Sequence, residues 1–166
     1  TLAQIGLQER NPGGIGNCTV LVNGFNEHGY DETIVEPLKK FMERIGYQGF
    51  AEFDLKYDNR DKKYKVLEIN PRQARCSYYL AAGGYNLVQY LIDDLIYHKE
   101  KPCTLMKEKI ALSFVPKSVI KKYVTSEPLR KEILQLAKQK KMVNPLKYKQ
   151  DKDLRRRLYL IAKDFS

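Results

Sequence analysis

Asp54, Glu68 and Asn70, followed closely by Arg72 and Arg75, are the residues of this chain whose types and spacing best suit chemistry. Carboxylate and amide oxygens are ligands for a hard cation such as Mg2+ or Mn2+ and are a poor match to zinc. Guanidiniums placed just beyond them present planar, paired donors that fit phosphate or carboxylate oxygens. Acids, an amide and two arginines aimed at one spot would hold a metal ion and neutralise a phosphate.

Two strands must bring these residues together. Phe53, Leu55 and Tyr57 alternate with Glu52, Asp54, Lys56 and Asp58, and Leu67 and Ile69 alternate with Glu68 and Asn70, so each segment has one apolar and one polar face. The turn-rich stretch 58–63 joins them as a hairpin. Pairing Asp58 with Tyr64 predicts an antiparallel register with Asp54 opposite Glu68, Glu52 opposite Asn70, Phe53 against Ile69 and Leu55 against Leu67. Opposed carboxylates repel by a few tenths to about 1 kcal/mol, a penalty that a bound cation converts into a ligand set. Pro71 ends the ladder. A polar hairpin face simply exposed to water is the plain alternative for the acids alone, and the continuation into Arg72 and Arg75 favours the site.

The segments Gly49-Phe50-Ala51-Glu52-Phe53-Asp54, Leu67-Glu68-Ile69-Asn70-Pro71-Arg72 and Gly83-Gly84-Tyr85-Asn86-Leu87 resemble the carboxyl-terminal half of an ATP-grasp ligase. The resemblance runs from about Leu2 to the end and is nearest to the bacterial carboxylate-amine ligases of the D-aspartate ligase type. It implies ATP and Mg2+ (or Mn2+) as cofactors, with Asp54, Glu68 and Asn70 as metal ligands. Glu52 competes with Asp54 for the first of these positions. The resemblance further implies that Arg72 and Arg75 act on the transferred phosphate and an acyl-phosphate intermediate. The implied substrates are a small carboxylate and an amine, and a peptidoglycan precursor is one acceptor the likeness brings in. Carbamoyl-phosphate-synthase-like and biotin-carboxylase-like enzymes are the alternatives within the superfamily. A glycine loop, Asn11-Pro12-Gly13-Gly14-Ile15-Gly16-Asn17, could offer backbone amides to an anion, and the resemblance makes Gly14, Gly16 and Asn17 nucleotide-facing candidates.

A length of 166 residues with 43% hydrophobic content supports one good core and argues against disorder. Three cysteines without close spacing fit neither a disulfide framework nor a zinc site and point to a reducing compartment. With no apolar run near the ~18 residues of a membrane span and no basic-then-apolar leader, cytoplasm is the expected location. The opening at Thr1, directly into a strand-like segment, and the lack of a lysine-bearing nucleotide lobe are what a piece of a longer enzyme would show. The substrates and the oligomeric state are not written in the sequence.

The expected fold is α+β, an antiparallel sheet backed by helices over residues 1–98, with a basic, mostly helical extension over 99–166. Strands are expected at 3–8 and 18–22. Helical spacing predicts a core helix from Ile34 to Ile45, capped by Asp31 and ended by Gly46, with His28 in the polar loop before it. A short turn of helix follows at 77–82, then a helix over 86–98 with His98 in its last turn and Asp93 and Asp94 on a solvated face. Beyond these come a strand at 110–115, a helix opened by Ser126 and Pro128 and running through Lys141, and a final helix capped by Asp151 with Leu154, Leu158 and Ile161 facing inward. Charge is divided unevenly. Residues 1–98 hold 11 Lys and Arg against 13 Asp and Glu, a net of −2, whereas 99–166 hold 19 against 7, a net of +12. A solvated basic face, an acidic substrate, an anionic membrane surface and a nucleic-acid-binding module are the readings of that excess. The lack of Trp and of any RNA-binding signature argues against nucleic acid.

Overall fold

The computed structural model describes residues 2–3, 6–10, 18–24, 34–148 and 150–165. It is an α+β fold of small sheets backed by helices. Strands β1 (Leu2–Ala3), β2 (Gly6–Arg10) and β3 (Cys18–Asn23) precede helix α1 (Val35–Arg44); then come β4 (Glu52–Asp58), β5 (Lys63–Asn70), α2 (Tyr78–Ala82) and α3 (Leu87–Leu95). After β6 (Thr104–Leu105) and β7 (Ala111–Ser113) the chain forms α4 (Lys117–Tyr123), α5 (Glu127–Lys138), β8 (Met142–Val143) and α6 (Leu154–Phe165).

The central sheet has the order β2-β3-β7-β8, antiparallel except for the parallel β7–β8 pair. It therefore takes strands from both sides of residue 98. Alternation along β3 sends Val20 and Val22 to one face and Leu21 to the other, and each face finds its own cover. Val20, Val22 and Ala111 pack with Ile120 and Val124 at α4 and with Leu129, Ile133 and Leu136 of α5, all buried. These three α5 residues recur at i, i+4 and i+7, one stripe of an amphipathic helix. Ser126 caps α5 by accepting from the Leu129 N–H at 3.4 Å, with proline in the first turn as expected from its sequence. On the opposite face Leu21, Ile110 and Leu112 meet Cys76, Tyr79 and Met106. Asn23, fully enclosed, ties the sheet to the strand entering β7: its Oδ1 accepts from Ile110 N–H at 2.6 Å, and its Nδ2 donates to the Glu108 carbonyl.

Several sequence expectations need correction. α1 ends as expected, with Gly46 in the left-handed region at φ 65°; its apolar face is buried at Val35 and half-buried at Leu38 and Met42, but Phe41 and Ile45 are 44% and 56% exposed. α3 stops at Leu95, and His98 lies beyond it at φ 48°, outside any helical turn. Asp93 is not on a solvated face: it is buried, bonded to Lys99, Lys101 and Gln89. Asp153, not Asp151, caps α6, accepting from the Arg155 and Arg156 N–H groups at 2.9 and 3.2 Å. Asp151 instead pairs with the Arg156 guanidinium at 2.9 Å. Asp31, His28, Gly14, Gly16 and Asn17 lie outside the described residues.

Candidate functional site

β4 and β5 form a two-stranded antiparallel hairpin. At its open end the register places Glu52 opposite Asn70, Phe53 opposite Ile69 and Asp54 opposite Glu68, as the polar–apolar alternation requires. Nearer the turn the expected pairing fails. A bulge follows Asp54, so that Leu55 meets Val66, Lys56 meets Lys65, Tyr57 meets Tyr64 and Asp58 meets Lys63. The reason lies in the sequence itself. Tyr64 and Val66 alternate in one phase, Leu67 and Ile69 in the other, and two consecutive apolar residues cannot both face the same side of a strand. The strand resolves the conflict by extruding one residue; Leu67 is left 66% exposed. Without the bulge Lys56 would sit against Val66 and Tyr57 against Lys65. With it, Tyr57 and Tyr64 make an edge-to-face contact at 5.1 Å.

The turn is held by local polar bonds. Asp58 accepts from the Arg60 guanidinium at 2.8 and 3.0 Å and from its backbone N–H at 3.0 Å. These bonds to Arg60 hold the Asp58 carboxyl down at about 2, well below its usual range. Asp61 pairs with Lys65, and Lys62 takes the left-handed conformation at φ 58°. Negative charge at this end is thus matched by neighbouring cations.

The other end is arranged differently. Glu52, Asp54, Glu68 and Asn70 share one face of the hairpin, two residues apart on each strand. The chain then bends at Pro71–Arg72, and the Arg72 guanidinium folds back to the Glu52 carboxylate and the Asn70 Oδ1, each at 3.4 Å. Glu52, the competitor of Asp54, is therefore the acid that Arg72 engages, and Asp54 is the one across from Glu68. Arg75 is exposed in the turn leading to α2, whose Tyr79, together with the preceding Cys76 and Ser77, is buried against the central sheet. The arginine-bearing loop is in this way fastened at one end to the hairpin and at the other to the core.

Behind that loop, Gly83 and Gly84 connect α2 to α3. A Cβ on Gly83 would stand 2.2 Å from the Met106 Cε, and Gly84 adopts φ 95°, where a side chain is strained. Asn86 caps α3, its Oδ1 accepting from the Val88 and Gln89 N–H groups at 3.1 and 3.3 Å. The Tyr85 hydroxyl donates to Glu108 at 3.2 Å, linking this region to the segment that enters β7. Sequence reasoning had no signal for that contact, which joins residues 23 positions apart.

Among the described residues no three or more His, Cys, Asp and Glu side chains gather as a metal cluster. The open end holds three acids and an amide: Arg72 engages Glu52, which leaves Asp54 and Glu68 as the facing pair beside Asn70. A pair of carboxylates fits a cation that takes its remaining oxygens from phosphates and water, the usual habit of Mg2+, and does not fit an ion that demands a full protein cage.

Over 159 residues the sequence is 33% identical to a D-aspartate ligase of Enterococcus faecium (strain Aus0004), and the match covers 93% of this chain. The chain is a relative of D-aspartate ligase. It spans 37% of the length of that relative. The likeness drawn from the motifs of the hairpin and of the Gly83–Leu87 segment thus holds over nearly the whole chain. No family model and no solved structure matches. Among the described residues no helix is long and apolar enough to cross a membrane.

Proposed function

We propose that this chain is the metal- and acceptor-holding part of an ATP-dependent carboxylate-amine ligase of the ATP-grasp kind. One observation supports the reading: in a chain similar to D-aspartate ligase, Asp54 pairs across the strands with Glu68 and Glu52 with Asn70 at the open end of a single hairpin, where Arg72 bonds Glu52 and Asn70. Asp54, Glu68 and Asn70 would hold Mg2+ or Mn2+, which when bound neutralises and orients phosphate oxygens.

In the proposed reaction a carboxylate oxygen of the substrate bonds to the γ-phosphorus of ATP, and the bond to the bridging oxygen breaks to release ADP. The amine nitrogen then adds to the acyl-phosphate carbonyl, and the C–O bond to phosphate breaks, giving amide and inorganic phosphate as the amine loses its proton. This chain's part is to position and to neutralise. Arg72, already turned toward Glu52 and Asn70, and Arg75, three residues on, would supply donors for the transferred phosphoryl group. The loop carrying Gly14, Gly16 and Asn17 is proposed to face the nucleotide with its backbone amides. An amino acid joined to a peptidoglycan precursor is the product we favour, from the likeness to D-aspartate ligase.

The test is release of ADP and phosphate by the full-length protein over a panel of carboxylates and amines, with and without Mg2+. Turnover that needs both an amine and the metal, with equimolar amide, is the expected result. ATP consumption dependent on bicarbonate alone, or none with any pair, would overturn the reading.

A further inference from the structure

The last helix carries a surface that the proposed chemistry does not use. On α6, Leu154, Leu158 and Ile161 recur at i, i+4 and i+7 and so form one stripe. Its spacing predicts an inward face, yet the stripe faces outward: the three are 70%, 67% and 52% exposed, whereas Leu160, on another side of the helix, is the more enclosed residue. At 100° per residue, Arg155 and Arg157 flank the stripe on its two sides, and the 66% exposed Tyr159 lies beyond Arg155. Ile161 continues into an open groove of about 280 Å³ lined by Leu146, Lys147, Tyr148, Arg157 and Leu160, which widens the apolar surface. Lys147 and Lys152 add positive charge nearby, and the whole segment 99–166 has a net charge of +12.

We propose that α6 is an interfacial helix that lies on an anionic lipid surface, its leucine and isoleucine side chains in the acyl boundary and its arginines among the headgroup phosphates. An exposed apolar stripe bordered on both edges by guanidiniums is the arrangement in which long cationic side chains reach up to charge while their stems cover hydrocarbon. Tyrosine at the edge of such a stripe suits the headgroup level. A nucleic acid would leave the leucines in water, since it offers phosphates and stacking faces but no hydrocarbon layer. This inference is independent of the ligase reading.

The test is flotation of the full-length protein with vesicles of equimolar phosphatidylglycerol and phosphatidylcholine, against vesicles of phosphatidylcholine alone. Binding to the anionic vesicles, weakened by salt, is expected, with little to the neutral ones. Leu158→Asp should lower the affinity tenfold or more, and its exposure means that circular dichroism should show the fold retained. Arg155→Gln with Arg157→Gln should lower it by about 25-fold, roughly fivefold for each charge, while lysine at both positions should keep it, because a lipid surface reads charge more than the guanidinium fork. Failure to float with anionic vesicles would overturn the proposal. So would vesicle binding that Leu158→Asp leaves intact, or tight single-stranded RNA binding in its place.

Discussion

Glu68→Gln separates catalysis from stability at the acid pair. Asp54 and Glu68 are direct cross-strand partners, a geometry that sets side-chain origins about 5 Å apart. Glu68 is exposed, so the water dielectric applies, and two unit charges at about 5 Å then repel by about 0.8 kcal/mol. Salt near physiological strength reduces this to a few tenths. Glutamine keeps the shape and removes the charge. The metal-free variant should therefore be as stable as the wild type or more so by a few tenths up to about 0.8 kcal/mol, a rise of up to about 3 °C in Tm for a chain of this size. Thermal denaturation in EDTA at low and at high salt reads the effect, which should vanish near 1 M salt, where the screening length is about 3 Å. If the full-length protein is the proposed ligase and Glu68 the proposed ligand, its Mg2+-dependent turnover should fall on the order of a hundredfold or more. A variant that melts several degrees lower yet keeps its turnover would refute the reasoning and make Glu68 a structural residue.

In the full-length enzyme, Arg72→Ala should lower kcat on the order of a hundredfold with a smaller change in KM for ATP, and Arg72→Lys should rescue poorly; near-normal steady-state kinetics would remove Arg72 from the site. Ile133→Ala, on the enclosed stripe of α5, should cost about 2–5 kcal/mol in urea denaturation, whereas Leu154→Ala on the exposed stripe of α6 should cost well under 1 kcal/mol. The bonds from Lys101 and then Gln89 hold Asp93 down at about 2 from 3.8, so its contribution to stability is fully present above about pH 4 and is lost as pH falls toward 2. Asp93→Asn should flatten that part of the stability–pH curve, and an unchanged acid limb would show that the ion pairs do not matter to folding.

The parts of this molecule that followed from its sequence are those set by short-range alternation. The facing of Asp54 with Glu68 and of Glu52 with Asn70 needed only the period of a strand and the position of Pro71. The cap at Ser126 needed only a hydroxyl residue with a proline two positions on. The bulge was also written there, in the phase change at Val66–Leu67, but a regular ladder passes over it. What could not be read was decided by contacts between distant residues. Burial of Asp93 depends on lysines in a loop that periodicity does not describe. The exposure of Phe41 and Ile45 on α1 depends on which surfaces find a partner, and an amphipathic pattern reports only that one is wanted. Asp151 and Asp153 both suit a cap, and only the placement of the first turn chose between them.

The pairing of β3 with β7 has a consequence in time. The hairpin of β4 and β5 closes on neighbours in sequence, an event of about 1–10 μs. The central sheet instead waits for a partner that starts at Ala111, far downstream of Asn23. At a synthesis rate of about 5–20 residues per second the ribosome takes roughly 4–18 s to cover that gap. During it the acid-bearing hairpin can already exist, while β3, paired on one edge with β2, still lacks the partner for its other edge and the cover for Val20, Leu21 and Val22. The nascent chain thus closes its acid-bearing hairpin early and covers β3 late, and a stall before residue 111 would present the open edge of that strand to chaperones or to another copy of itself.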